Sequence, residues 1–395
     1  MILRRRALAL LSLLATIFYL FHHLPTRQPH TPSPLTTIHE ETIEEAYKYF
    51  GFARGISIFQ PDNYTKDLVL PCTPKDDVSW LSAVPPWLNL IPKVYHVPMT
   101  SSSTPPPGAL RVPKNKGNEA MTYLTYVIHH YDTLPDLVIF THASNTAWHN
   151  NDMHMFSTAL MLRELNYHRA ARLGFMNLRC HWDPGCPSWI KPHNNRYTPD
   201  KGEEMYFHRD FRKLFPGVRL PETLASACCA QFVVTRERIR GNTREEYIRW
   251  REWLLHTDLV DRYSGRIMEY LWHYIFSDRN NRTTAVCPSE YACYCDGYGM
   301  CFGSEETYRK HLASGKDAAD IEKQLKQYVE EGPKKGEDME VREDIMRQMK
   351  KRIDEAQQVL MKEIDIARER GRDAEVRRRE VGVDEFTEKR GSFLG

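Results

Sequence analysis

The chain has 395 residues, more than one average domain needs, so two or three regions are expected. A hydrophobic content of 41% with 11% aromatics excludes a wholly disordered chain. Lys plus Arg number 54 against 52 Asp plus Glu, a formal charge of +2, which argues against a dedicated nucleic-acid binder.

The charge is unevenly spread. Residues 304–395 hold 21 Lys/Arg and 23 Asp/Glu, nearly half of that segment, with four aromatics and one proline. The core therefore belongs to the first three quarters of the chain.

At the N-terminus, Arg4-Arg5-Arg6 precedes an apolar run from Ala7 to Leu24, broken only by Ser12, Thr16 and the histidine pair His22-His23. Its length is near the minimum for a membrane span. A cleaved signal peptide and a retained signal anchor compete, and Phe21–Pro25 lacks the small-x-small pattern of a cleavage site, which favours the anchor. The arginines would stay in the cytosol and the rest would enter a lumen, a single-pass type II topology in the Golgi or endoplasmic reticulum. Two sequons, at Asn63 and Asn281, fit that side of the membrane. So do nine cysteines, all before residue 304, which read as disulfides with at least one thiol left over.

Residues 25–79 read as a Pro/Ser/Thr-rich stem and an N-terminal extension, with a short helix expected around Glu41–Phe50. The regular part starts near Trp87. A strand is expected over Lys93–Val97, a helix from an Asn118 cap to about Tyr131, and a buried strand over Leu137–Phe140. A Pro/Ser surface loop, Ser101–Gly108, interrupts them. Further on, a helix is expected over Met153–Leu165, a strand over Gly174–Leu178 and another within Cys229–Thr235. Helices over Arg244–His256 and Gly265–Phe276 complete the pattern. Strands alternating with helices indicate an α/β domain with a mostly parallel sheet, placed at 80–303. The tail, 304–395, carries apolar residues at Met346, Met349, Ile353, Ala356, Leu360 and Ala367, with Glu363 as the one gap. That spacing reads as a weak coiled coil suited to self-association, or as a solvated single helix.

Three groups of residues can carry chemistry. Past the Leu137–Phe140 strand, His142, His149 and Asp152 are candidate ligands for a divalent cation such as Mn or Mg, or else hydrogen-bonding groups of a polar loop. Glu269 and His273 are four apart, so on one helix they share a face and form a candidate acid–base pair or a structural staple. Cys287, Cys293, Cys295 and Cys301 read as two disulfides rather than a zinc site, Cys180 and Cys186 as a small loop closure, and the adjacent Cys228 and Cys229 as bonding elsewhere. Phosphate-loop, nucleophile-elbow and zincin motifs are absent from the sequence.

Several stretches together resemble the fungal family called domain of unknown function 3431. They are Asn115-Lys116-Gly117-Asn118-Glu119-Ala120, Tyr123–Tyr126, Phe140-x-His142, Trp148-His149-Asn150, Cys228–Val234, Ser264-Gly265-Arg266 and Glu269–Phe276. More distantly the domain is similar to GT-A-type glycosyltransferases. Where that fold usually carries Asp-x-Asp, this chain has Thr141-His142-Ala143-Ser144-Asn145. The resemblance implies a sugar transferred from a nucleotide donor. Asn115, Lys116, Gly117 and Asn118 would favour the phosphates at a helix N-terminus. Gln231 would contact the donor, and Glu269 and His273 would act on the acceptor. The other reading is a non-catalytic membrane-anchored interaction protein; a metal-dependent hydrolase is a third.

Overall fold

The structure, a computed structural model, describes Phe59 and residues 62–99, 109–334 and 337–382. The N-terminal apolar run, the stem, the helix expected at Glu41–Phe50 and most of the Pro/Ser loop lie outside the described residues. Among those described, no helix is long and apolar enough to cross a membrane.

Eight strands form. They are β1 (Lys66–Cys72), β2 (Leu90–His96), β3 (Leu110–Arg111), β4 (Leu137–Phe140), β5 (Phe175–Asn177), β6 (Ala225–Ser226), β7 (Phe232–Thr235) and β8 (Ala285–Val286). Six of them make one sheet in the order β3-β2-β1-β4-β7-β5, and β6 pairs with β8. The β3–β2, β2–β1 and β1–β4 pairs are parallel, while β7 runs antiparallel to both β4 and β5. The fold class is therefore mixed α/β with a mostly parallel sheet, as the strand–helix alternation predicts.

The central strand β1 is the element the sequence reading did not see, so the folded domain begins before residue 80. Its sequence, Lys-Asp-Leu-Val-Leu-Pro-Cys, mixes charge and a proline into a strand that lies mid-sheet. Each exception has a local remedy. Lys66 is buried with its ammonium on Asp62 at 2.5 Å and over the Tyr167 ring. Asp67 accepts from the Tyr126 hydroxyl at 2.6 Å. Pro71 lies beyond the β4 pairing, which ends at Val69, so its missing N–H removes nothing on that side.

Both faces of the sheet are covered, and strict alternation along β4 divides its residues between two cores. Val138 and Phe140 join Tyr95, Phe232 and Val234 against α1 (Glu119–His130) and the later helices; Leu137 and Ile139 join Leu68, Leu70 and Val233 on the other side. That second face packs on α2 (Thr158–Glu164) and α3 (Tyr167–Leu173). The first face also takes α4 (Glu204–Leu214), α5 (Arg236–Arg240) and α6 (Arg244–His256), the last begun by a Thr243–Glu246 capping box.

Two helices differ from expectation. The helix expected at Met153–Leu165 begins only at Thr158, because Met155 and Phe156 adopt positive φ and the Ser157 side chain then caps α2 by accepting from Leu160. The helix expected over Gly265–Phe276 is two helices, α7 (Asp261–Glu269) and α8 (Trp272–Ile275), separated at Tyr270-Leu271. At the break the Tyr270 hydroxyl donates to the buried carboxylate of Glu203, and the Leu271 N–H donates to the Met268 carbonyl, three residues back rather than four.

Four disulfides form, Cys180–Cys293, Cys186–Cys287, Cys228–Cys229 and Cys295–Cys301, and Cys72 is free. The expected pairings are corrected three times. Of Cys287, Cys293, Cys295 and Cys301 only the last two bond within the set, while Cys287 and Cys293 pair with Cys186 and Cys180. Cys180 and Cys186 do not close a loop together; each reaches across to the segment around α9 (Glu290–Tyr298), which packs near α3. Cys228 and Cys229 bond to each other.

The described residues of the tail form three helices, α10 (Glu305–Glu331), α11 (Met339–Gly371) and α12 (Ala374–Val381). Helices α10 and α11 pack on one another, so the partner of the predicted apolar stripe is the chain's own α10. The Glu363 gap in that stripe meets His311 of α10 at 2.7 Å. Ile364 and Ala367 enter the second core, and Gly371 passes so near Gly299 that a Cβ would lie 1.8 Å from its carbonyl oxygen. The tail is thus docked on the domain rather than separate from it.

Candidate functional site

In this sheet the chain leaves β1 toward β2 on one side and returns to β4 on the other, so the topology reverses between β1 and β4. Open α/β sheets bind ligands outside the carboxyl ends of their strands at such a point. The residues there are the turn after β1, with Asp76, and the loop after β4, from Thr141 to Asp152. Antiparallel β7 starts at the same edge, which delivers Gln231 beside Thr141.

Gln231 organises the loop. Its buried side-chain oxygen accepts from the Thr141 hydroxyl at 2.5 Å and from the His142 N–H at 3.2 Å. Its nitrogen donates to Asn150 at 2.7 Å, and Asn150 in turn donates to the Phe156 carbonyl and the Thr158 hydroxyl. The side chain is thus a positioning group whose carboxamide is engaged inside the protein, rather than the free donor contact expected from the resemblance.

Held in this way, His142 Nδ1 and His149 Nε2 meet at 2.7 Å, one ring donating to the other. Burial pushes His142 down to about 4 and His149 to about 3, the latter also lowered by His142 and Arg179. The pair is neutral at neutral pH. Arg179 is the cation beside it, stacked over Trp148 at 5.6 Å with its terminal nitrogens donating to the Trp148 and Asp183 carbonyls.

Asp152 does not join the histidine pair. It accepts from His181 at 2.8 Å and from the Tyr294 hydroxyl at 3.1 Å. Burial alone would raise its carboxyl, but the His181 charge and hydrogen bond outweigh that and hold it low. His142, His149 and Asp152 therefore do not fit a common divalent cation. Among the described residues, the one convergent set of three possible ligand side chains is Cys295, Cys301 and Glu380, and those cysteines are joined as a disulfide.

Glu269 and His273 also part. The break between α7 and α8 leaves His273 with its Nε2 donating to the Thr284 carbonyl at 3.0 Å. Glu269 instead faces Glu119 at the start of α1. The contact is made possible by Gly265, one turn earlier, where a Cβ would lie 2.6 Å from the Asn118 side-chain nitrogen. Burial raises Glu269 to about 8 with Glu119 and Glu203 adding to the effect, and burial raises Glu119 to about 7. The two carboxyls titrate as a pair, so near neutral pH the pair retains a proton. Tyr123, one turn along α1 from Glu119, donates to the Ala230 carbonyl next to Gln231 and so links this pair to the histidine loop.

The loop 115–118 is more occupied than its sequence suggests. The Lys116 ammonium donates to the Leu259 carbonyl and sits 3.4 Å from Asp261, and the Gly117 N–H donates to the same carboxylate. Asn118 occupies the N-cap position of α1 with φ 55 and without a side-chain cap bond, and Asn115 is exposed. An anion at this helix N-terminus would compete with Asp261 and face Glu119 and Glu269. Sequence reasoning did not single out Glu119, Arg179, His181 or Tyr294. Only Glu119 carried a signal, its place within the Asn115–Ala120 stretch.

Residues 68–296 match the family described as "Protein of unknown function (DUF3431)", which is more than half of the chain. The chain belongs to that family. The matched span runs from β1 into α9 and contains the histidine pair, Gln231 and both carboxyls of the Glu119–Glu269 pair. No curated protein and no solved structure matches the chain.

The histidine pair sets a pH dependence. Unfolded histidines titrate near 6.5. Below that value the unfolded chain takes up protons that folded His142 and His149 refuse, so stability falls as pH drops from about 6.5 toward 4. Each ring contributes at most about 1.4 kcal/mol per pH unit, less here because both rings are partly exposed. In urea titrations between pH 7 and 4, His149→Phe should lose distinctly less stability than the wild type; parallel curves would show that these rings are not held neutral.

Proposed function

We propose that this domain is a transferase that binds the diphosphate of a nucleotide sugar over the β1–β4 edge and passes the sugar to a hydroxyl acceptor. The observation that carries the reading is the assembly at the topological switch point: Gln231 holds the loop after β4 so that two neutral imidazoles meet at 2.7 Å beside Arg179. Neutral imidazoles present hydrogen-bonding edges to phosphate and hydroxyl oxygens, and Arg179 supplies the charge that a departing diphosphate requires. In the reaction the bond from the anomeric carbon to the diphosphate oxygen breaks and a bond to the acceptor oxygen forms. The acceptor's proton passes to the ionised member of the Glu119–Glu269 pair, whose raised pKa values suit a base working near neutral pH. The reading routes no step through a metal, since the expected ligands do not converge.

Four disulfides and exposed asparagines at both sequons support a lumenal, type II setting in the Golgi or endoplasmic reticulum.

Thermal unfolding of the full chain against a panel of nucleotide sugars, with Mn and with a chelator, tests the reading. A ligand at 100 times its dissociation constant stabilises the native state by about 2.7 kcal/mol. One class of donor should raise the melting temperature equally with Mn or chelator, and His142→Ala should abolish the shift. No shift with any donor, in a folded sample, would overturn the transferase in favour of a non-catalytic interaction protein.

A further inference from the structure

A cavity of about 520 Å³ runs along the outer edge of β5, away from the β1–β4 crevice. It lies between that edge strand and the segment carrying β8, and the disulfides Cys180–Cys293 and Cys186–Cys287 form part of its wall. Cross-links spanning the wall make the cavity preformed rather than dependent on a ligand for its shape. Its volume suits a single small organic molecule.

The lining is one-sided in charge. Arg169, Arg179 and Arg238 contribute to it, and no Asp or Glu does. Arg169 is neutralised by Asp296 at 2.7 Å behind the wall. Arg179 commits its terminal nitrogens to carbonyl oxygens, and its buried Nε has no hydrogen-bond partner. Arg238 crosses Gly174, where a Cβ would lie 2.6 Å from its Nε, so the glycine makes room for the guanidinium. Phe175, Phe276 and Trp182 supply apolar surface.

His273 adds a requirement of opposite kind. It is 2% exposed, and its Nε2 faces a carbonyl oxygen, which only accepts, so Nε2 carries the proton. Nδ1 is then a lone-pair acceptor, buried and without any donor. Burial holds the ring neutral by lowering it to about 4. A buried acceptor left unmet is costly, and buried polar atoms are rarely left so.

We infer that the β5-edge cavity is a binding site for a small hydroxylated anion, a sugar bearing a phosphate or carboxylate, with Arg238 on the anion and His273 Nδ1 accepting from a hydroxyl. The anion answers the Arg238 guanidinium, the hydroxyl answers the orphaned nitrogen, and the carbon skeleton packs on the aromatic walls. Arg179 stands in the wall between this cavity and the histidine pair of the proposed donor crevice, and the anion and hydroxyl are held by residues outside that pair.

Calorimetric titration of the full chain with glucose 6-phosphate, glucuronate, glucose and inorganic phosphate reads this out. The two charged sugars should bind, with glucose and inorganic phosphate at least tenfold weaker. Arg238→Gln and His273→Phe should each weaken the charged sugars by tenfold or more. Arg238 is only half-buried, so its substitution leaves a folded protein for comparison. His142→Ala should leave this binding unchanged, which separates the site from the donor crevice. Absence of binding by every probe, equal affinity for inorganic phosphate alone, or full affinity in both cavity variants would overturn the inference.

Discussion

Gln231→Leu is expected to destabilise the protein by about 3–5 kcal/mol, although it replaces one buried side chain with another of similar volume. The substitution strips partners from three groups at once: the Thr141 hydroxyl, the His142 N–H and the Asn150 side-chain oxygen. Each orphaned buried polar group costs about 1–3 kcal/mol, and the three share one network, so the sum is less than additive. The same change releases the loop after β4, so the His142–His149 contact should loosen with it. Urea unfolding measures the first effect, and the acid sensitivity assigned to the histidine pair measures the second. A loss under 1 kcal/mol, with that sensitivity unchanged, would show that Gln231 does not hold the loop.

Removal of both long-range disulfides should have a larger effect. Cys180–Cys293 and Cys186–Cys287 join residues 113 and 101 apart. On the chain-entropy account the first closure of a loop of that size is worth about 4–5 kcal/mol. With the first in place, the second closes only the short ring between the two bridges, worth about 2–3 kcal/mol. Losing both therefore removes roughly 6–8 kcal/mol, comparable with the whole stability of an ordinary domain. Replacing all four cysteines by serine should leave the chain unfolded or nearly so at 37 °C, as read by circular dichroism and denaturant titration. The Cys228–Cys229 bridge is the internal control. It joins neighbours and constrains almost no unfolded chain, so its double serine variant should cost little through loop entropy. Equal losses from the adjacent and the long-range bridges would contradict this account.

The family assignment rests on residues dispersed over more than half of the chain, and the fold explains why they are dispersed. The switch-point loop depends on β7 for Gln231, on α1 for Tyr123 and Glu119, and on α7 for Glu269. Each element arrives from a different part of the sequence, and none forms the site alone.

What could be read without the structure were features written locally. The apolar run Leu137–Phe140 is a strand buried on both faces, and the helix expected over Arg244–His256 forms as α6. The apolar spacing of the tail located its inward stripe, and the polar loop after β4 marked where chemistry could sit. Local signals failed where the deciding partner is remote. Strand β1 hides behind Lys66, Asp67 and Pro71, because its remedies lie in Asp62, Tyr126 and the register with β4. Spacing of four made Glu269 and His273 neighbours, but the break at Tyr270-Leu271 sends one carboxyl to Glu119 and one imidazole to Thr284. The heptad-like stripe read as a weak coiled coil or a solvated single helix; the stripe packs on the chain's own α10, whose His311 answers the Glu363 gap. The sequence by itself determined which segments are regular and which faces are apolar, since those depend on neighbours a few residues away. Which side chains meet, which protons are held and which cysteines pair were decided only by tertiary packing, because burial and charge act across space and not along the chain.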